Sequence, residues 1–194
     1  MSDNKLIVIA GPSGAGKTTL ARYLIDRYQE VEFCVSATTR LPRENERSQQ
    51  DYFFLSLETF LRNVQNDEFV EYEEVFKGVF YGTPKHELKR IWEKGHLPIL
   101  DVDVKGALNI RKKYPEKGVF IFIHPGSEEE LRKRLRNRQS ESEEKLNERI
   151  ARSKEELEYV SEFDYVIYNE DLDKSRKELF QIIDKFLGKA TAEK

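Results

Sequence analysis

The chain has 194 residues, 36% of them charged, with Lys+Arg 33 against Asp+Glu 36 for a net charge of −3. That length suits a single domain burying roughly 70% of its unfolded surface without a disulfide or metal staple. A nearly balanced charge argues against a nucleic-acid binder, which more often carries a basic excess, and no stretch approaches the roughly 20 apolar residues of a membrane span.

Leu6-Ile7-Val8-Ile9-Ala10 is a continuous apolar run rich in β-branched residues, the pattern of a strand buried on both faces. It is too short for a secretory leader and lacks a basic segment and cleavage site, so the cytoplasm is the expected compartment. A glycine-rich turn follows at 11–16. Thr19-Leu20, Tyr23-Leu24 and Arg27-Tyr28 then recur at helical spacing. The single cysteine, Cys34, lies in the apolar run Phe33-Cys34-Val35 and reads as a buried thiol rather than a redox centre. Residues 33–83 carry short aromatic strand-like runs, at 52–55 and 69–72, around one short helix near 57–64. They predict a small, mostly antiparallel insertion. Strand and helix then alternate again: a strand at 97–102, a helix at 105–114, a strand at 118–123, a strand at 165–168 and a helix at 172–187. Alternation of this kind predicts an α/β fold with a mainly parallel sheet covered on both faces. Between them, residues 127–162 read as long, charged helix. Glu128-Glu129-Glu130 at its start and arginines further on suit the helix macrodipole, and Ser127 with Glu130 forms a capping box. The expected subregions are a core of 1–32, 84–126 and 163–188, the insertion 33–83, and the charged segment 127–162.

Gly11-Pro12-Ser13-Gly14-Ala15-Gly16-Lys17-Thr18 fits G-x-x-x-x-G-K-[ST] at every fixed position, between a buried strand and a helix. Glycines let backbone N–H groups curl around phosphate oxygens. The helix N-terminus, which includes Thr19, adds partial positive charge. Lys17 can reach the β- and γ-phosphates of a nucleotide, and the Thr18 hydroxyl can ligate Mg²⁺. Asp101 ends the apolar strand Ile99-Leu100, as a Mg²⁺-holding carboxylate does in such proteins. Asp103, two residues on, points the same way if the strand continues; capping the next helix is the competing role.

The segment Val35-Ser36-Ala37-Thr38-Thr39-Arg40-Leu41-Pro42-Arg43 resembles the V-S-x-T-T-R-x-P-R of the guanylate kinase family. Later segments agree in order across nearly the whole chain: Asp51-Tyr52, Phe69-Val70-Glu71, Tyr81-Gly82-Thr83, Leu100-Asp101-Val102-Asp103 with Gly106, and Asn169-Glu170-Asp171-Leu172. The resemblance implies an ATP:GMP phosphotransferase using Mg²⁺. It implies that Arg40, Arg43, Tyr52 and Tyr81 bind the GMP phosphate and that Ser36, Glu71, Thr83 and Asp103 surround guanine. It also makes 127–162 a mobile lid whose Arg134, Arg138 and Arg149 close over the polyphosphate, and puts Asn169 near adenine.

Chemistry supports several of these roles independently. Arg40 and Arg43 flank a proline turn, so their guanidinium forks could converge on one phosphate. A Glu71 carboxylate can accept from guanine N1–H and the 2-amino group, donors that adenine does not offer together. Ser36 and Thr83 could donate to guanine O6. Taken alone, either tyrosine reads better as a core residue, and the arginines could equally be surface residues. Arg132, Arg136 and Arg152 match no family position and read as solvated.

The family loop P-R-x-G-E-x-x-G-x-D-Y has glycines where this chain has Asn45 and Gln49. Asn tolerates positive φ, whereas Gln49 has no such explanation. Two rival readings remain at this point. One is a non-catalytic guanylate-kinase-like module that binds phosphopeptides, though such modules usually carry eroded phosphate loops. The other is a kinase for a different acceptor: Glu71 with Thr83 argues against AMP, while GMP and dGMP are not separated. Monomer and homodimer are equally open.

Overall fold

The computed structural model describes residues 4–43, 46–138 and 143–189, with the side chains of Asn137 and Arg138 outside that description. Its centre is a five-stranded parallel sheet in the order β2-β7-β1-β8-β9. The strands are β1 (Leu6–Ala10), β2 (Val31–Phe33), β7 (Leu97–Asp101), β8 (Gly118–His124) and β9 (Tyr165–Tyr168). Every residue of β1 is fully buried, which is why its sequence shows no polar alternation. Parallel strands need crossovers: α1 (Lys17–Arg27) leads from β1 to β2, α3 (Lys85–Glu93) precedes β7, α4 (Val104–Lys113) leads from β7 to β8 and the charged segment leads from β8 to β9, while α7 (Leu172–Phe186) follows β9 and packs on β9 and α1. One core forms on each face of the sheet: Ile7, Ile9, Leu20, Leu24 and Leu179 on one, Val8, Leu88, Ile91, Ile110 and Phe120 on the other.

The insertion is a separate four-stranded sheet in the order β4-β3-β6-β5. It comprises β3 (Ser36–Thr38), β4 (Tyr52–Phe54), β5 (Phe69–Phe76) and β6 (Val79–Pro84), with α2 (Leu57–Gln65) packed against it. Its β3–β6 and β5–β6 pairings are antiparallel and its β3–β4 pairing is parallel, so the sheet is mixed. Phe60 stacks on Phe69 at 4.5 Å between centroids and anchors a core of its own. β2 pairs with β7 in the main sheet, so Phe33 belongs to the core rather than to the insertion.

The charged segment forms two helices, α5 (Glu128–Arg138) and α6 (Glu143–Leu157), rather than one. Leu131, Leu135, Leu146 and Ile150 close a fourth small core between them. The Ser127 hydroxyl accepts from the Glu130 N–H, as the capping pattern predicts. Among the described residues no helix is long and apolar enough to cross a membrane. Cys34 is buried, and burial raises its thiol pKa well above the ordinary value, so it is an inert core group.

Candidate active site

β1 and β7 are neighbours in parallel register, with Ile9 opposite Asp101. The turn after β1 and the acid ending β7 therefore emerge side by side at the carboxyl edge of the sheet, where ligands bind in folds of this type. The Thr18 hydroxyl donates to Asp101 Oδ2 at 2.6 Å. These are two hard oxygen donors from separate elements, at one point. Lys17 Nζ donates to the carbonyls of Gly11 at 2.7 Å and Pro12 at 3.2 Å, leaving one of its three N–H groups for a ligand.

Asn169 explains part of the loop's sequence. It is buried, and its side-chain amide donates to the Ala15 carbonyl at 2.7 Å. Gly16 has φ 98, and a Cβ there would come within 2.2 Å of that amide. Glycine is required twice over at this position, by backbone conformation and by contact. Asn169 thus holds the phosphate loop from behind. It does not line the cleft between the loop and the insertion.

A cleft of about 850 Å³ runs from this loop to the insertion. Gly11, Ser13, Gly14, Gly16, Lys17, Thr18 and Thr19 line one wall; Pro12 and Ala15 are absent from it because they shape the loop from inside. Ser36, Arg40, Arg43, Tyr52, Glu71 and Tyr81 line the other wall, with Asp101 and Asp103 between the two.

The arginine pair differs from expectation. The Arg40 fork meets Glu46 with both carboxylate oxygens, at 2.5 and 2.6 Å, while its Nε donates to Tyr81 Oη at 2.9 Å and Nη1 to the Leu41 carbonyl at 3.0 Å. Four of its five N–H groups are engaged, so the fork is not open for bidentate phosphate binding. Arg43 lies 3.8 Å from the same Glu46. Burial pushes Glu46 upward, but hydrogen bonds from Arg40 outweigh it and hold the carboxyl below its usual range. Glu46 gathers both arginines and was not singled out from the sequence; an acid three residues after the second arginine was the available signal. Tyr52 and Tyr81 meet edge to face at 5.8 Å. Gln49 adopts φ 67, a left-handed turn that costs a non-glycine residue about 1–2 kcal/mol, and its N–H still donates to the Tyr52 carbonyl. The turn expected of a glycine is therefore made by glutamine. Asn45 lies outside the described residues.

The wall on the insertion side centres on Glu71. It is 7% exposed and accepts from the Thr83 hydroxyl at 2.6 Å. A hydroxyl has one proton, so Thr83 orients Glu71 and cannot at the same time donate to a guanine oxygen. It is fully buried and does not line the cleft. Burial pushes the Glu71 carboxyl up to about 8, opposed by the Thr83 hydrogen bond and reinforced by Asp103 and Glu73. At neutral pH it is mainly protonated, not the ready carboxylate that the sequence suggests. A Cβ on Gly106 would lie 2.7 Å from Glu71 Oε2, so α4 approaches this closely only because it has glycine there.

β7 ends at Asp101, so Asp103 does not continue it. Asp103 is the N-cap of α4, accepting from the Gly106 N–H at 2.7 Å. It nevertheless lines the cleft, because its second oxygen faces outward to Arg152 Nη2 at 3.0 Å. Glu73, also in the wall, accepts from Asn109 at 2.7 Å.

Of the three lid arginines, Arg149 lines the cleft. Arg134 does not: it donates to Glu130 at 3.0 Å and to the Asn169 carbonyl at 2.6 Å, beside the phosphate loop. Its Nη1 is buried with no hydrogen-bond partner among the described residues. The Arg138 side chain lies outside the described residues. Arg132 and Arg136 make surface ion pairs with Glu128 and Glu143, as solvated residues do. Arg152, expected to be solvated too, instead lines the cleft.

A family model described as guanylate kinase matches residues 3–186. A protein named guanylate kinase from Bacteroides thetaiotaomicron is 42% identical over 185 residues, covering 95% of this chain and 91% of that one. Another of that name, from Caldanaerobacter subterraneus subsp. tengcongensis, is 45% identical over 178 residues, covering 92% and 85%. The crystal structure of guanylate kinase from Anaplasma phagocytophilum superposes with TM-score 0.78 at 32% identity, covering 96% of this chain and 87% of that chain. With the phosphate loop, the paired arginines and the buried Glu71 on one cleft, and with a family match over almost its whole length, the chain belongs to the guanylate kinase family.

Proposed function

We propose that this protein transfers the γ-phosphate of ATP to GMP, giving ADP and GDP, in the cytoplasm. The observation that carries the reading is one cleft with two unlike walls. The phosphate loop with Lys17 forms one, and Arg43, Tyr81 and Glu71 form the other. Two phosphorylated ligands lying end to end would bring a donor phosphorus and an acceptor oxygen together between them.

On the donor side, loop N–H groups and the third N–H of Lys17 hold the β- and γ-phosphates. Thr18 and Asp101 are the residues that would hold Mg²⁺. Two oxygen donors suit a small dication that keeps most of its shell for phosphate and water. When bound, the ion neutralises charge on the β- and γ-oxygens. Arg149 faces the cleft, and Arg134, held on the Asn169 carbonyl behind the loop, would add positive charge at the donor end.

On the acceptor side, Arg43, the last N–H of Arg40 and the Tyr52 and Tyr81 hydroxyls hold the GMP phosphate. Guanine meets Glu71, Ser36 and Asp103. No protein base is required, because a GMP phosphate oxygen is already ionised near neutral pH and attacks phosphorus in line. The protein supplies position, charge and exclusion of water.

The test is a coupled ADP-release assay with ATP against GMP, dGMP, AMP, UMP and CMP. Turnover with GMP and at least 10³-fold lower kcat/KM with AMP are expected. Equal rates with GMP and AMP, or none with GMP, would overturn the assignment. The dGMP arm decides whether the deoxyribose acceptor is also used.

A further inference from the structure

Arg152 joins the three parts of the molecule. It stands on α6, in the lid. Its Nη2 donates to Asp103 Oδ2 at 3.0 Å, at the start of α4 in the core. Its Nη1 donates to the Val75 carbonyl on β5, in the insertion. Its Nε donates to Glu156 Oε1 at 2.8 Å, one turn along its own helix. The guanidinium lies over the Phe76 ring, 5.4 Å from its centroid.

Each acceptor is prepared for this contact. Asp103 has its other oxygen fixed by the Gly106 N–H, so its free oxygen points one way only. Val75 lies where the β5–β6 register shifts, between Glu74 and Phe76, and such an irregularity re-aims backbone groups out of a ladder. Glu156 holds the guanidinium plane. A guanidinium has its donors at fixed angles, so one side chain sets the relative position of three acceptors; a lysine ammonium has no such fixed fork. The charge matters as well. Glu71, Glu73 and Asp103 crowd one wall of the cleft, and Arg152 lowers the cost of that crowding for Glu73.

We propose that Arg152 is a positioning residue that couples the lid to the base-binding wall, so that ligands at the two ends of the cleft strengthen each other's binding. The proposal rests on the ATP:GMP reading above. The lid closes over the donor nucleotide, and in that position the Arg152 fork fixes both Asp103 and β5, the strand that carries Glu71 four residues before Val75. Linkage then makes the effect reciprocal: whatever factor a donor-site ligand adds to GMP affinity, GMP adds to that ligand's affinity.

The experiment is titration calorimetry of GMP into the full chain, with and without a saturating non-hydrolysable ATP analogue and Mg²⁺. Wild type, Arg152→Lys and Arg152→Ala are compared, with circular-dichroism melts to verify folding. Wild type should bind GMP about tenfold more tightly with the analogue present, within the usual range of coupling factors. In Arg152→Ala the ratio should fall to about one, while affinity for the analogue alone changes less than about twofold. Arg152→Lys, which keeps a positive charge beside Asp103 but not the fork, should restore GMP affinity without restoring the ratio. A side chain that merely packs would alter GMP affinity equally in both conditions and leave the ratio intact. An Arg152→Ala ratio equal to wild type, a wild-type ratio of one, or full recovery of the ratio by lysine overturns the proposal. If Arg152→Ala does not fold, the lysine variant decides alone. A wild type that neither binds nor phosphorylates GMP would instead sink the functional reading, whereas normal GMP turnover with an unchanged ratio sinks only the role of Arg152.

Discussion

The two walls of the cleft are built by opposite means. On the reading proposed above, the phosphate loop is eight consecutive residues, 11–18, whose backbone N–H groups would hold phosphate. On the same reading, the wall that would face the base is assembled from Ser36 on β3, Glu71 on β5 and Asp103 at the start of α4, and its recognition would lie in their side chains. Glu71 does not even have a fixed charge until its surroundings set it. A phosphate can thus be recognised by local geometry, which eight residues encode. A purine edge is recognised by hydrogen-bonding groups whose protonation depends on burial, which only the assembled fold determines.

The sharpest way to break this contrast is Lys17→Ala. Removing a cation from the transferring group should lower kcat by about 10²–10³-fold in steady-state assays. The melting temperature should hold, because the hydrogen bonds of Lys17 go only to neighbouring loop carbonyls. Near-normal turnover would mean that the phosphate loop is not where the chemistry happens.

Glu71→Gln tests the opposite wall. An amide copies the shape of a protonated carboxyl, so the fold should tolerate it. It cannot become the double acceptor that guanine needs, so kcat/KM for GMP should fall about 10²-fold, the loss expected for a hydrogen-bonded charge. AMP should change only a few-fold. If both nucleotides shift together, the base is read elsewhere.

A third test addresses protonation. Burial holds the Glu71 carboxyl at about 8, so below that pH the free protein carries a proton there. Guanine's donors favour the ionised form, and binding must then release the proton. GMP affinity should therefore rise between pH 7 and 8, by at most about tenfold per unit, and level off above. Calorimetry in buffers of different ionisation heat should detect the proton, and both effects should vanish in Glu71→Gln. A flat profile in wild type would mean that GMP meets a neutral acid.

The smallest expected effect concerns support of the phosphate loop. Asn169→Ala removes the hydrogen bond to the Ala15 carbonyl, worth about 0.5–1.5 kcal/mol. KM for ATP should rise several-fold while kcat stays within about twofold. An unchanged KM would show that the loop holds its shape unaided.

The parts legible in the sequence are those decided by short-range pattern. β1, β8 and β9 are read from apolar runs, the phosphate loop from its glycines and Lys17, and Asp101 from its place at a strand end. What escaped depends on tertiary partners. α3 was missed because it is short and buries an acid: Glu87 is 4% exposed, accepting from the Val35 N–H and pairing with Arg90, so its inward face does not read as apolar. Arg152 looked like one more charge on a charged helix until Asp103 and Val75 came beside it. Thr83 looked like a donor to the base because nothing in a linear sequence shows that Glu71 already has its proton. Arg40 looked open because Glu46 stands six residues away, across a turn.

The distribution of apolar clusters has a thermodynamic consequence. Phe60 and Phe69 anchor the insertion's cluster, and Leu131, Leu135, Leu146 and Ile150 form the lid's, both apart from the clusters on the two faces of the main sheet. Phe69 and Val70 are neighbours on β5, yet they point to opposite sides and belong to different clusters. The boundary between two cooperative units therefore falls between adjacent residues. Either appendage can melt and re-form while the parallel sheet stays intact, because its own small cluster, and little of the sheet's, is exposed to water. Such a molecule has a ladder of opening free energies rather than one. Hydrogen exchange should therefore find the amide protons of β1 and β8 exchanging only on global unfolding and those of α2, α5 and α6 through cheaper, partial openings.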